Sequence, residues 1–288
     1  EGRYYLWTRA EITRLLGPAA DAFARAYGVT EEGNYRPEFG HGQPGRNILH
    51  RTDTADLRPN PADGAALLAH RRSRIPPHCD DKILAEWNGL MIGALAYAAD
   101  ALDQPRYRLA AERAADFLRE HLRPEGRLRR RWRDGEAGGG PFLEDYASFA
   151  EALLELHHAT GDTQRLDEAR ALAEEMISLF ADPAGGPFFQ TPEGAEPLIG
   201  RAKPLHDQAI PCANAVAARL LIRLAALTRH TRYTQMAEHI LAGLADTAHQ
   251  TPQLACSAAN AGVLLADARQ AVRGQTPARL EASRAPVA

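Results

Sequence analysis

Three stretches of this 288-residue chain gather the side chains that carry acid–base and binding chemistry. They are Asp80-Asp81-Lys82 with Trp87-Asn88, Glu144-Asp145-Tyr146, and Arg201-Ala202-Lys203 with His206-Asp207 and Asn214. Carboxylates can act as general acid, base or nucleophile, aromatic faces take the C–H surface of a pyranose, and amides bind hydroxyls. Together these residue types suit carbohydrate chemistry. Asp81, Asp145 and Asp207 are the catalytic candidates, with Asp80, Lys82, Trp87, Asn88, Glu144, Tyr146, Arg201, Lys203, His206 and Asn214 as the binding shell around them. If the three aspartates lie close, mutual repulsion raises at least one pKa, as an acid catalyst requires. The competing reading makes each aspartate an N-cap, since a carboxylate at a helix start accepts orphan N–H groups. A sugar epimerase would want a histidine pair, and His78 with His206 is the pair available.

Of 34 basic residues only Lys82 and Lys203 are lysines, and both sit beside acidic residues in these motifs. A lysine offers a compact, tunable charge where arginine offers a wide, permanent fork. These two places are therefore expected to need an ammonium that sets the charge of the neighbouring carboxylates. Net charge is −3 with 25% charged residues, which gives no reason to expect nucleic acid or an anionic membrane surface, and there is no apolar span of membrane length. Cys79, Cys212 and Cys256 are odd in number, with no CxxC spacing. No disulfide framework, metal site or cofactor is expected, and free thiols suit a reducing cytoplasm. Thiol redox chemistry by Cys79 and Cys212 is a minor alternative, because no activating base is evident. The chain opens on Glu1, not Met, and reads as a fragment.

The elements that position these groups are helical. Arg3 to Trp7 reads as a short strand, and Thr8 with Glu11 forms a capping box for a helix ending near Gly17. Pro18 opens the next helix, residues 28–60 are loop with one strand near Asn47 to His50, and a helix follows over 62–73. Asp80 or Asp81 is the expected N-cap of the helix through Leu90 and Leu95. From there a repeat of helical hairpins begins, joined at Asp103-Gln104-Pro105, Gly161-Asp162-Thr163 and Arg229-His230-Thr231. The first helix of each hairpin is apolar nearly all round and so expected to be buried, while the second carries charge on one face. Leu254 to Ala268 reads as a fourth inner helix. Arg127 to Arg133 leads into an Asp134-Gly135 turn, and Gly185 to Thr191 carries a second strand signal. The five arginines there read as a solvated ribbon. The expected domains are 1–75, a loop-rich part, 76–270, the helical core, and 271–288, a flexible tail.

Inner and outer antiparallel helices make an all-α, α/α toroid with its N-terminal part missing. Equivalent helix starts in such a ring converge on one mouth, which brings the three motifs together. Glu1 to Thr8, Asp80-Asp81-Lys82 through Trp87-Asn88-Gly89-Leu90-Met91, Phe142-Leu143-Glu144-Asp145-Tyr146-Ala147, and Arg201-Ala202-Lys203-Pro204 through Asp207 resemble the thioredoxin-domain-containing family related to spermatogenesis-associated protein 20. The resemblance implies a six-hairpin glycosidase-type toroid, akin to sugar 2-epimerases and glycoside hydrolases, behind an N-terminal thioredoxin-like domain that would be its covalent partner. The family's Pro-Ser-Gly-Asn is here Pro211-Cys212-Ala213-Asn214. A sugar-like ligand is the expected small-molecule partner. The alternative is a non-catalytic regulatory or interaction module.

Overall fold

The computed structural model describes residues 2–36, 44–52, 60–195 and 200–272. The expected flexible tail falls almost wholly outside them. The chain divides into two compact units, 1–80 and 81–288.

The first unit holds α1 (Arg9–Leu16), α2 (Ala20–Ala26) and α3 (Pro61–Arg72). It has a hydrophobic cluster of its own around Trp7, Ile12, Phe23 and Leu67. The Thr8–Glu11 capping box is present in both directions. The expected strands are not. Residues Gly2–Tyr4 form a 3-10 turn, and the two segments touch only through a single bridge between Trp7 and Asn47. Buried Asn47 explains this, because its side chain binds Thr30, Asn34 and Trp7 backbone groups and gathers loops instead of extending a ladder.

The second unit is built from helical hairpins. They are α4 (Ala85–Ala101) with α5 (Pro105–His121), α6 (Leu143–Thr160) with α7 (Thr163–Phe180), and α8 (Ala213–Thr228) with α9 (Thr231–Gln250), followed by α10 (Cys256–Val272). All three joining turns fall where the repeat places them, the first two at Asp103-Gln104-Pro105 and Gly161-Asp162, the third at Arg229-His230. Gly161 and Arg229 end their helices in the left-handed conformation, which satisfies the last carbonyls. The first helices α4, α6, α8 and α10 pack against one another in sequence. Their core includes Ile92, Phe149, Leu153, Leu220 and Leu221, each worth about 1.5–3 kcal/mol on full burial. α6 and α8 are buried nearly all round, as their composition requires. α4 is not: Trp87, Met91 and Tyr97 are exposed along it.

A small antiparallel sheet of β1 (Ile83–Leu84), β2 (Arg131–Arg133) and β3 (Glu136–Gly138) flanks the α4 start. Asp134 and Gly135 both have positive φ, the geometry a two-residue hairpin turn needs. Residues 185–191, expected as a strand, form none. Pairing of Ile83 with Trp132 also corrects the start of α4. Those residues are drawn into the sheet, so α4 begins at Ala85 with Leu84 as its cap residue, and neither Asp80 nor Asp81 caps it.

Three contacts put the starts of the first helices at one end. Arg130 bridges Glu86 of α4 and both Glu144 and Asp145 of α6. Glu151 of α6 takes Arg219 and Arg223 of α8, and Asp207, just before α8, binds Ser257 in the first turn of α10. Gly89 sets the spacing of the first pair. A Cβ there would lie 2.7 Å from the Ser148 carbonyl carbon and 2.8 Å from the Phe149 nitrogen, so α4 and α6 touch backbone to backbone.

Candidate functional site

The first carboxylate cluster forms where α4 and α6 begin. Glu86 is the second residue of α4, Glu144 and Asp145 the second and third of α6, and all three are buried. Their counter-charge is Arg130, delivered by the residue before β2. Its guanidinium lies 3.6 Å from Glu86 Oε2, 3.3 Å from Glu144 Oε1 and 3.2 Å from Asp145 Oδ1. Asp145 also accepts the Phe142 N–H at 3.1 Å, closing the first turn of its own helix. Glu144 Oε1 accepts the Gln190 side-chain amide at 3.1 Å.

Three carboxyls share one guanidinium, and the oxygens Glu86 Oε2 and Glu144 Oε2 have no hydrogen-bond donor among the described residues. Burial pushes Glu86 up to about 7, and the Glu144 charge adds to it against the pull of Arg130. Burial likewise raises Asp145 to about 7, opposed by Arg130 and the Phe142 N–H and assisted by Glu144. The cluster therefore holds protons close to neutral pH. Such a group can give a proton to a leaving oxygen or accept one.

Asp207 is built the other way. Its carboxylate accepts the Cys212 N–H at 2.8 Å, the Ser257 N–H at 2.8 Å and the Ser257 hydroxyl. Burial pulls its pKa upward, but these donors outweigh it and hold the group below the usual carboxylate range. It is a charged cap on α10. Beside it, between the starts of α8 and α10, lies a cavity of about 430 Å3.

The remaining expected residues distribute as follows. Asp81 is exposed and pairs with Arg133 at 2.8 Å, because the sheet carries it away from the α4 start. Asp81, Asp145 and Asp207 thus have separate partners and share none, in place of the expected catalytic trio. Asp80 belongs to the first unit, and Lys82 is exposed. Trp87 is 59% exposed, one residue from Glu86, with its ring available. Asn88 spends its amide on the Leu84 carbonyl, 2.8 Å away. Tyr146 is fully buried, edge-on to Phe180, with its hydroxyl accepting the Leu128 N–H, so it has no face for a sugar. Burial pushes its pKa up to about 12.

Lys203 was expected to tune an active-site aspartate, but its ammonium pairs with Asp182 at 2.5 Å. Lys203 and Arg201 sit over the Phe189 ring, at 4.6 and 4.0 Å from its centre, and Arg201 also donates to the Thr191 carbonyl. Both basic residues shape the connection between α7 and α8. Asn214, fully buried, completes that work by accepting the Phe188 N–H and donating to the Phe188 and Pro204 carbonyls. His206 is exposed. Burial raises the Cys212 thiol, which leaves it a poor nucleophile.

Sequence reasoning missed Glu86 and Arg130. Glu86 lay inside the first motif, and its acidic side chain within an otherwise apolar run was the available signal. Arg130 was hidden among five arginines assigned to solvent. No group of three or more residues able to hold a metal ion occurs among the described residues. No described helix is long and apolar enough to cross a membrane.

No family model matches the chain. Solved structures with a partly similar helical arrangement include cellobiose 2-epimerase from Spirochaeta thermophila, with a TM-score of 0.47 and 18% identity over 56% of this chain and 42% of that one. The GH76 α-mannanase BT2949 of Bacteroides thetaiotaomicron gives a TM-score of 0.48 and 16% identity over 59% and 45% of the two chains. Unsaturated glucuronyl hydrolase from Bacillus sp. GL1 gives 0.46 and 19% over 60% and 49%. Among curated proteins, spermatogenesis-associated protein 20 of Rattus norvegicus is 31% identical over 293 residues, covering 88% of this chain and 36% of its own length. The Homo sapiens protein of the same name is 31% identical over 292 residues, covering 88% and 37%. The chain thus spans little more than a third of these relatives, and over that span it is a homologue of spermatogenesis-associated protein 20.

Proposed function

We propose that the second unit binds or processes a carbohydrate-like ligand at the end where its first helices begin. The supporting observation is the buried set of Glu86, Glu144 and Asp145 around Arg130, two of whose carboxyls titrate near 7. A protonated carboxyl next to an ionised one is the equipment of glycosidic bond cleavage and of proton transfer at a sugar carbon. Trp87 provides the exposed ring beside it for a pyranose face. The helical resemblance to sugar-processing enzymes agrees with this reading of the fold. Asp81 and Asp207 lie outside the reacting groups in this proposal.

A second reading has its own observation. The exposed apolar side chains Trp87, Met91 and Tyr97 on α4 suit a protein-interaction module, for which the thioredoxin-like domain implied by the sequence resemblance is a candidate partner. Titration of cellobiose and mannobiose into the chain, followed by ligand-observed NMR, separates the two. Binding that W87A weakens about tenfold, with the melting temperature unchanged, supports the carbohydrate reading. Absence of saccharide binding at millimolar concentration removes it.

A further inference from the structure

The 430 Å3 cavity between the starts of α8 and α10 is not used by the acid cluster, and its lining is specific. Small-molecule sites occupy about 300–1,000 Å3, so this one holds one or two sugar rings. Arg219 forms one wall. Its Nε donates to Glu151 at 3.0 Å, while its two terminal nitrogens hydrogen-bond to no described residue. Glu151 is itself buried and fixed by Arg223, which also pairs with Glu155. The guanidinium is therefore aimed by a rigid carboxylate and keeps its fork open. Gln208, Gln253 and Asn260 line the same cavity with side-chain amides that bind no described residue. Asp207 also lines the cavity and stays charged, its oxygens occupied by Ser257 and Cys212, so Arg219 is the group there that can take an anion.

We infer that this cavity takes a sugar acid, with its carboxylate on the Arg219 fork and its hydroxyls on the three amides. A planar guanidinium with two parallel N–H donors matches a carboxylate in a way that a single hydroxyl does not. The inference rests on the carbohydrate reading above and narrows its ligand class.

The test is calorimetric titration of D-glucuronate, D-glucose and inorganic phosphate into the full chain and into R219Q and R219K. Expected are at least tenfold tighter binding of glucuronate than of glucose, and a tenfold or greater loss of glucuronate affinity in R219Q. Glucose affinity should stay within twofold. R219K keeps the charge without the fork and should fall between the two, which covers the case in which R219Q folds poorly. Equal binding of glucose and glucuronate overturns the inference while leaving the carbohydrate reading in place. Phosphate binding as tight as glucuronate also overturns it, since Arg219 would then be a general anion contact. If no sugar binds, neutral or acidic, both fall together.

Discussion

Two carboxylate sites sit near consecutive helix starts in the same unit, and they resolve the same problem in opposite directions. Around Asp145 three carboxyls share Arg130 and few other donors, and the group keeps protons to about pH 7. Around Asp207 one carboxylate has donors to spare, and it stays charged below the usual range. Burial pushes both upward, but far more at fully buried Asp145 than at half-buried Asp207. Depth of burial and the crowding of like charges decide, and the buried, crowded site is the one that holds protons near neutrality.

The largest test of that contrast is Arg130→Ala. Removing the shared counter-charge should cost about 3 kcal/mol at pH 8, because uncompensated buried charge remains. The cost should shrink at pH 5, where Glu86 and Asp145 take up protons instead. Urea denaturation at the two pH values reads this directly, and an equal loss at both would mean that the cluster does not hold protons.

Next in size is Asp207→Asn. The amide keeps one acceptor oxygen for three donors, so about 1–2 kcal/mol should be lost near neutrality. Asp207 has a depressed folded pKa, so its contribution is present above the unfolded value and is lost as pH falls through the folded one. The penalty of Asp207→Asn should therefore fade toward acid, the same direction as for Arg130→Ala but below about pH 4. A penalty independent of pH would break the comparison.

The smallest effect belongs to Glu86→Gln. The unfolded chain releases this proton near 4.5 and the folded chain holds it to about 7, so wild-type stability falls as pH rises across that window. The slope is at most about 1.4 kcal/mol per pH unit. The variant should lose that part of the slope and gain on the wild type by about 1 kcal/mol at pH 8. Parallel stability curves for the two proteins would show that Glu86 titrates normally.

Much of the frame was legible because local chemistry writes it. Gly161, Pro105 and the Asp134-Gly135 pair punctuate the chain where their backbone preferences require, and the apolar period gave the hairpins. What the sequence hid depends on contacts between distant residues. Ile83 pairs with Trp132, almost fifty positions away, and this shifts the helix start so that Glu86 enters the cluster while Asp81 moves to Arg133 on the surface. Tyr146 shows the same limit at smaller scale. It follows Asp145 directly, yet one step around the helix turns it into the core against Phe180. The two lysines stand out in the composition, but nothing local in the sequence pointed Lys203 to Asp182 and Phe189.

The contact at Gly89 governs how the end of the unit can move. Two helices whose backbones touch have no side-chain layer between them to reshuffle, so they cannot slide or part by changing rotamers. Glu86 and Asp145 are thereby fixed relative to each other. The connection that carries Gln190 adds to this, tied to Glu144 by a side-chain amide and to the start of α6 by the Leu143 N–H on the Gln190 carbonyl. The acid pair is a fixed anvil.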